Sequence, residues 1–175
     1  MIRAYAEEYL NDAQENLGEA FDYAVNACKL GIDEFMDLFI AEGYADAFGK
    51  GNPKYLSGIS GTELVMEVVE KSGKQMEFPE PQVEYDCSPE YWCGWILAYY
   101  QWATGRPFKD IYSYISMNEI LKLYSPLHEA SEDKFADFAL ARLNERPFAS
   151  PRARLRKAAK LSQADLARIT GLNIR

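Results

Sequence analysis

The stretch from Tyr91 to Gly105 constrains the fold more than any other part of the sequence. It contains no charged residue, and its bulky apolar residues cover nearly every direction around a helix axis: Tyr91, Trp92, Trp95, Ile96, Leu97, Tyr99, Tyr100 and Trp102. A helix that is apolar on all sides is buried, so the pattern predicts a helix at the centre of a folded domain. The stretch is shorter than the roughly 20 apolar residues that a membrane span needs.

Four aromatic residues of this stretch, Trp92, Trp95, Tyr99 and Trp102, are predicted to form an aromatic core or a subunit interface. Tyrosine hydroxyls and indole N–H groups favour such places, where an apolar ring and a polar end are both satisfied. An aromatic ligand pocket is the alternative for the same residues.

The rest of the sequence to residue 146 also reads as helical, so we predict an all-α fold. An apolar stripe predicts a long first helix that ends near Gly31: Ala6, Leu10, Ala13, Leu17, Phe21, Val25 and Cys28. Asp33 is predicted to cap a second helix, with Gly43 to Gly49 as its frayed end.

Capping signals predict where several later helices begin and end. Ser60 with Glu63 and Ser116 with Glu119 form capping-box patterns, and Ser88 followed by Pro89 is a strong start signal. Gly73, Gly105 and Pro126 are predicted helix ends, and Ser131 is predicted to cap a last helix that closes at Asn144.

Charge is distributed unevenly along the 175 residues, whose net charge is −8. From Pro151 onward there are seven basic residues and one acidic residue, or +6, and the 12 basic and 26 acidic residues before it give −14. This asymmetry predicts a basic segment that faces phosphates and an acidic body that faces something else. The alternative is that the basic segment docks on its own acidic body.

The sequence shows little that points to catalysis. His128 has no partner that spacing can specify, Cys28, Cys87 and Cys93 do not match zinc spacings, and no nucleophile with a base is visible. We therefore expect no enzyme, no cofactor and no metal. The start of the sequence lacks an export signal, and the odd number of cysteines predicts reduced thiols, so a cytoplasmic protein is expected.

The segment from Pro151 to Asn173 has the features of two short helices joined at a steep angle. Leu155, Leu161, Leu166 and Ile169 supply apolar contacts, and Ala164 and Ala167 allow the helices to approach closely. On charge alone, Arg152, Arg154, Arg156 and Lys157 are predicted phosphate neighbours.

The phrase Leu161-Ser162-Gln163-Ala164-Asp165-Leu166-Ala167-Arg168-Ile169-Thr170-Gly171 resembles the opening of the Cro/cI-type (xenobiotic response element, lambda-repressor-like) helix-turn-helix family. The resemblance covers about 24 of the 175 residues. It implies that Gln163 contacts the DNA backbone and that Arg175 falls where the contacts of the recognition helix begin. Residues 88–102 also resemble, more loosely, an uncharacterised helical domain of bacterial regulators, some of which neighbour toxin genes.

These features predict an acidic helical domain over 1–146, a linker over 147–151, and the first two helices of a helix-turn-helix over 152–175, without the recognition helix. The predicted function is a bacterial DNA-binding transcriptional regulator that acts as a homodimer, with the helical domain for dimerisation or sensing. The alternative is an antitoxin-like or adaptor protein that binds a protein partner such as a toxin. We expect the chain to be a fragment of a longer regulator or a truncated paralogue, and therefore to associate only weakly with DNA.

Overall fold

The computed structural model describes residues 3–82 and 86–145, and all regular secondary structure in these ranges is helical. The all-α prediction is therefore confirmed. The α-helices are α1 (Leu10–Asp22), α2 (Ile32–Ala41), α3 (Tyr44–Gly49), α4 (Gly61–Ser72), α5 (Pro89–Thr104), α6 (Phe108–Tyr112), α7 (Met117–Lys122), α8 (Tyr124–Leu127) and α9 (Glu132–Glu145). The predicted linker and helix-turn-helix segment lie outside the described residues.

The pairing of α1 with α5 is the most extensive contact between helices. The two backbones approach closely because glycine occupies both sides: a Cβ at Gly94 would lie 2.3 Å from the carbonyl oxygen of Leu17 and 2.9 Å from the nitrogen of Gly18. The start of α4 meets α1 in the same way, since a Cβ at Gly61 would lie 2.4 Å from the oxygen of Asn16. Helices α1, α4 and α5 therefore form a tightly closed unit.

Phenylalanine side chains fill the core beside this unit. Phe35 of α2 packs edge-on against Phe21 of α1 with ring centroids 5.1 Å apart. Phe39 then meets Phe48 at 6.1 Å and Phe108 at 5.6 Å. All five rings are almost completely buried. Edge-to-face pairs of this kind are favourable beyond the area they bury, so they link α1, α2, α3 and α6 into one core.

The predicted helix starts at residues 60, 88 and 116 are confirmed. The hydroxyl oxygens of Ser60, Ser88 and Ser116 each accept a hydrogen bond from the backbone N–H three residues later. Gly73 and Gly105 end their helices with positive φ angles of 78° and 66°, a conformation that glycine adopts without steric cost. The Tyr91–Gly105 stretch is indeed the central helix.

The first helix ends earlier than its apolar stripe predicts. A 3-10 turn (Glu7–Tyr9) leads into α1, and a π-helical turn (Tyr23–Ala27) follows it. Lys29 adopts a left-handed φ of 58°, and the N–H of Leu30 donates to the carbonyl of Ala24 at 2.9 Å. This closing bond satisfies a carbonyl at the helix end, so the chain leaves the helix before Gly31.

Asp33 does not cap its own helix, contrary to the prediction. Gly31 is the N-cap residue of α2, and the Glu34 carboxylate accepts its N–H at 3.1 Å. The Asp33 carboxylate instead accepts the N–H groups of Met117 at 2.8 Å and Asn118 at 3.3 Å. Its negative charge therefore satisfies the first turn of α7, a contact between distant residues that local spacing does not reveal.

Two further boundaries differ from the prediction. Residues 44–49 form the separate helix α3 rather than a frayed end, because Gly43, with φ 85°, reverses the chain before it. Pro126 does not end α7, which stops at Lys122, but lies within the short helix α8. Proline is tolerated there because the N–H groups of a first helical turn have no intrahelical partner. The last described helix, α9, is helical through Glu145, where the described residues stop, and so passes the predicted end at Asn144.

Candidate functional site

A cleft lined mainly by aromatic rings opens where the start of α5 meets α8. We call it the aromatic cleft; it measures about 280 Å³ and is lined by Cys87, Tyr91, Trp92, Trp95, Tyr124 and His128. Tyr91 and Trp95 are four residues apart on α5 and so lie on the same face of that helix. Trp92 meets Tyr124 edge-on, with ring centroids 5.8 Å apart.

Tyr124 and His128 form a stacked pair at the far wall of the cleft. Their ring centroids are 4.4 Å apart and their planes differ by 19°. The His128 Nδ1 lies 2.8 Å from the Tyr124 carbonyl oxygen. Because a carbonyl oxygen only accepts, this contact assigns the proton to Nδ1 and fixes the orientation of the imidazole ring.

The four aromatic residues predicted as core or interface divide into two classes. Trp92 and Trp102 are core residues, with 8% and 5% of their surface exposed, whereas Trp95 and Tyr99 are only partly buried. The Trp102 indole N–H donates to the Tyr5 carbonyl at 2.9 Å, and the Arg3 guanidinium covers its ring at 4.6 Å. Trp92 and Trp102 therefore belong to the core, while Trp95 and Tyr99 line open clefts.

Tyr99 belongs to a second cleft, between the C-terminal half of α5 and α9. We call it the α5–α9 cleft; it measures about 450 Å³ and is lined by Tyr99, Tyr100, Ala103, Thr104, Arg106, Asp133, Ala136, Asp137 and Leu140. The Tyr99 hydroxyl donates to Asp133 at 3.4 Å across it. Leu140 is 49% exposed at its edge, which is unusual for a leucine in this protein.

A third cleft carries four acidic side chains and no basic one. We call it the acidic cleft; it measures about 360 Å³ between α1 and the start of α4, and four of its lining residues are Asp12, Glu15, Glu19 and Glu63. The Glu19 carboxylate accepts the hydroxyl of Thr62 at 2.8 Å, and Glu63 accepts the N–H of Ser60 at 2.7 Å. Two of the four carboxylates therefore stabilise α4, and Asp12 and Glu15 face solvent.

Tyr91 connects the aromatic cleft to the carboxylates of α1. Burial, and to a smaller extent the charges of Cys87, Glu15, Glu19 and Asp22, together raise the pKa of Tyr91 to about 12. A cation near this hydroxyl would meet a neutral ring with several negative charges behind it. No lysine or arginine is among the described residues that line either the aromatic or the acidic cleft.

Sequence reasoning left an aromatic ligand pocket open as an alternative for Trp92 and Trp95, but it did not place Tyr124 or His128 beside them. The only local signal in the sequence is the spacing of Tyr124 and His128, which are four residues apart and so can stack. The other rings of the cleft belong to α5, which is distant in the sequence. Residues 3–82 and 86–145 contain no group of three or more His, Cys, Asp or Glu residues arranged to hold a metal ion. Cys28, Cys87 and Cys93 form no disulfide in the described structure.

The predicted DNA contacts fall in a part of the chain that the structure does not describe. Gln163, Arg175, Arg152, Arg154, Arg156 and Lys157 all lie outside the described residues. Within the described ranges, no helix has the length and apolar character to cross a bilayer. No family model, curated protein or solved structure matches the chain.

Proposed function

We propose that this protein is a cytoplasmic DNA-binding regulator of transcription, in which residues 152–175 contact DNA and the helical body dimerises or senses a partner. The division of charge carries the proposal: the chain is −14 before Pro151 and +6 from there on. DNA affinity comes largely from neutralised phosphates, so the basic segment is the part suited to bind it.

The surface of the body supports this assignment of roles. Its aromatic and acidic clefts contain no basic lining residue among those described, and the exposed carboxylates of Asp12 and Glu15 in the acidic cleft would repel phosphates. The body is built as a scaffold around α1 and α5. A rigid, negatively charged scaffold is suited to hold a basic segment for DNA rather than to contact DNA itself.

The roles proposed for individual residues come from the sequence. Gln163 would contact the DNA backbone, Arg175 would stand at the first recognition contacts, and Arg152, Arg154, Arg156 and Lys157 would neutralise phosphates. Dimerisation through the body would let two copies read a palindromic operator, since two-fold proteins read two-fold sites.

The proposal is tested by DNA binding of the 175-residue chain, measured as fluorescence anisotropy of a labelled duplex at low and at physiological salt. We expect weak, salt-sensitive association. The triple variant Arg152→Gln/Arg154→Gln/Arg156→Gln should lower the slope of log K against log salt by about 3, or nearly 1 for each lost phosphate contact.

The matched control is Lys50→Gln/Lys74→Gln/Lys109→Gln, which removes three exposed cations of the body. It should leave the salt slope within error of that of the parent chain. Equal losses in the two triple variants would show that net charge alone governs binding, and would contradict the assignment of DNA contacts to the basic segment.

The acidic cleft favours a second candidate function, capture of a basic protein partner such as a toxin. Asp12 and Glu15 are exposed at a cleft of about 360 Å³, where a basic side chain could reach both carboxylates. In the native host, a stoichiometric complex that survives purification and is lost in Asp12→Asn/Glu15→Gln would favour this function. A homodimer without a second protein would contradict it.

A further inference from the structure

The aromatic cleft has an unmet capacity to bind a cation. Elsewhere four rings each lie beneath one of the molecule's own cations: Arg3 over Trp102 at 4.6 Å, Lys54 over Tyr55 at 5.1 Å, Lys71 over Tyr44 at 5.3 Å and Arg142 over Phe138 at 5.5 Å. None of the described cations lies over a ring of the aromatic cleft, although Tyr91, Trp95, Tyr124 and His128 leave part of their surface open there.

The charges around the cleft favour a cation over an anion or a neutral ligand. Glu129 extends beside His128, with its carboxylate 3.7 Å from Nε2, and the carboxylates of Glu15, Glu19 and Asp22 act on the Tyr91 hydroxyl. Aromatic faces attract cations through the negative potential above the ring, and tryptophan attracts them most strongly. Guanidinium suits this cleft best because it is planar, stacks on rings and is less strongly hydrated than ammonium.

A source of guanidinium lies within the tether length of the same chain. Phe135 of α9 packs against Trp92 with ring centroids 6.2 Å apart, and Glu145 is about 15 Å further along that helix. The seven residues from Glu145 to Arg152 can span at most about 25 Å, and Arg154 and Arg156 have longer tethers. Each of the three arginines can therefore reach back to the cleft.

We propose that the aromatic cleft is an intramolecular guanidinium site, occupied by an arginine of the run Arg152, Arg154 and Arg156 stacked on Trp95. A short tether keeps the local concentration of these side chains high, so a weak contact is sufficient for substantial occupancy. Because the same arginines are the proposed phosphate contacts, docking in the cleft would compete with DNA. The docking of arginine in the aromatic cleft does not depend on whether these arginines also bind DNA.

The test is acrylamide quenching of tryptophan fluorescence in the 175-residue chain, without DNA. Acrylamide is neutral, so the added quencher does not alter the electrostatics. Subtracting the signal of Trp95→Phe isolates the contribution of Trp95 from those of Trp92 and Trp102. In Arg152→Gln/Arg154→Gln/Arg156→Gln, the quenching constant of the Trp95 contribution should rise by about twofold to fivefold, the population shift of one exposed cation–π contact.

Two controls keep the result interpretable. The variant Lys50→Gln/Lys74→Gln/Lys109→Gln removes the same charge elsewhere on the body and should leave quenching unchanged. Adding N-acetyl-arginine amide to the arginine-free variant should reverse the increase in a saturable way, whereas N-acetyl-glutamine amide should not.

Three outcomes would overturn the proposal. Equal quenching of the parent chain and the arginine variant would show that the run does not occupy the cleft. If N-acetyl-arginine amide binds the cleft but the arginine variant quenches like the parent chain, the natural occupant belongs to another polypeptide. An equal response to the arginine and glutamine probes would show that the cleft does not select guanidinium. None of these results would bear on DNA binding, which is measured separately.

Discussion

The two sides of α5 are built in opposite ways. On the side of α1, glycines bring the backbones together until a single added Cβ would lie 2.3 Å from a carbonyl oxygen. On the side of α8 and α9, large rings meet edge-to-face, as Trp92 does with Tyr124 and Phe135, and clefts of about 280 and 450 Å³ remain beside them. The difference teaches that direct backbone contact closes one side of this helix, while packing through large side chains leaves open space on the other.

The strongest challenge to this comparison is Gly94→Ala. The new Cβ would clash with the carbonyl oxygen of Leu17. Because that oxygen belongs to the backbone of a helix, it cannot move aside as a flexible side chain could. We expect unfolding free energy to fall by about 3 kcal/mol or more, at the upper end for overpacked cores. Urea denaturation followed by circular dichroism measures it.

Gly31→Ala is the control, because its Cβ would have no neighbour nearer than 3.5 Å. The cost should stay within about 1 kcal/mol, the loss of a favourable N-cap residue. Similar costs at both glycines would show that α1 and α5 are not held at closest approach.

The next comparison truncates one leucine to alanine on each side of α5. Leu17 is fully buried between α1 and α5, so Leu17→Ala should cost about 2–5 kcal/mol through lost burial and a residual cavity. Leu140 is 49% exposed beside the α5–α9 cleft, and Leu140→Ala should change stability by less than about 0.5 kcal/mol. A substantial loss at Leu140, measured by the same denaturation, would mean that the open side also holds the fold.

The cysteines report on the two sides through their reactivity. Cys87 is exposed at the aromatic cleft, whereas Cys93 is fully buried in α5 and Cys28 is buried behind α1. Burial raises the pKa of the Cys28 and Cys93 thiols, which lowers their thiolate fraction at a given pH. A coloured disulfide reagent should therefore titrate one thiol quickly in the native chain and all three in denaturant. Fast reaction of a second thiol, with Cys87→Ser as the check, would contradict the closed side.

The smallest expected effect is an alkaline pH dependence from Tyr91, which lies where the two sides meet. Its pKa is raised from 10.0 to about 12, chiefly by burial. Since folding favours the neutral phenol, this contribution to stability is complete below pH 10 and is lost as pH rises towards 12. Tyr91→Phe should flatten the fall in stability over that window, as measured by denaturation at several pH values. An unchanged slope would show that the Tyr91 hydroxyl is solvated.

Local signals in the sequence predicted much of the fold. Ser60, Ser88 and Ser116 mark helix starts because a capping hydroxyl and the N–H it accepts lie within three residues. The charge-free stretch predicted the central helix for a similar reason, since full burial removes the polar face.

The clefts could not be predicted, because they depend on distant residues. Asp33 reads locally as a cap for α2, yet it serves α7, more than 80 residues away. The aromatic cleft combines Tyr91 and Trp95 of α5 with Tyr124 of α8 and His128, which directly follows that helix. The sequence identifies these residues as aromatic, but only the packing of α8 against α5 determines which faces of their rings remain exposed.

The central claim is that the basic segment meets nucleic acid and the acidic body does not. Hydrogen exchange of the full chain, with and without a DNA duplex at low salt, tests it most directly. We predict that DNA-dependent protection falls on peptides within 152–175 and leaves α1 and α5 unchanged. Protection that appears on the acidic body, with none in 152–175, would contradict the account.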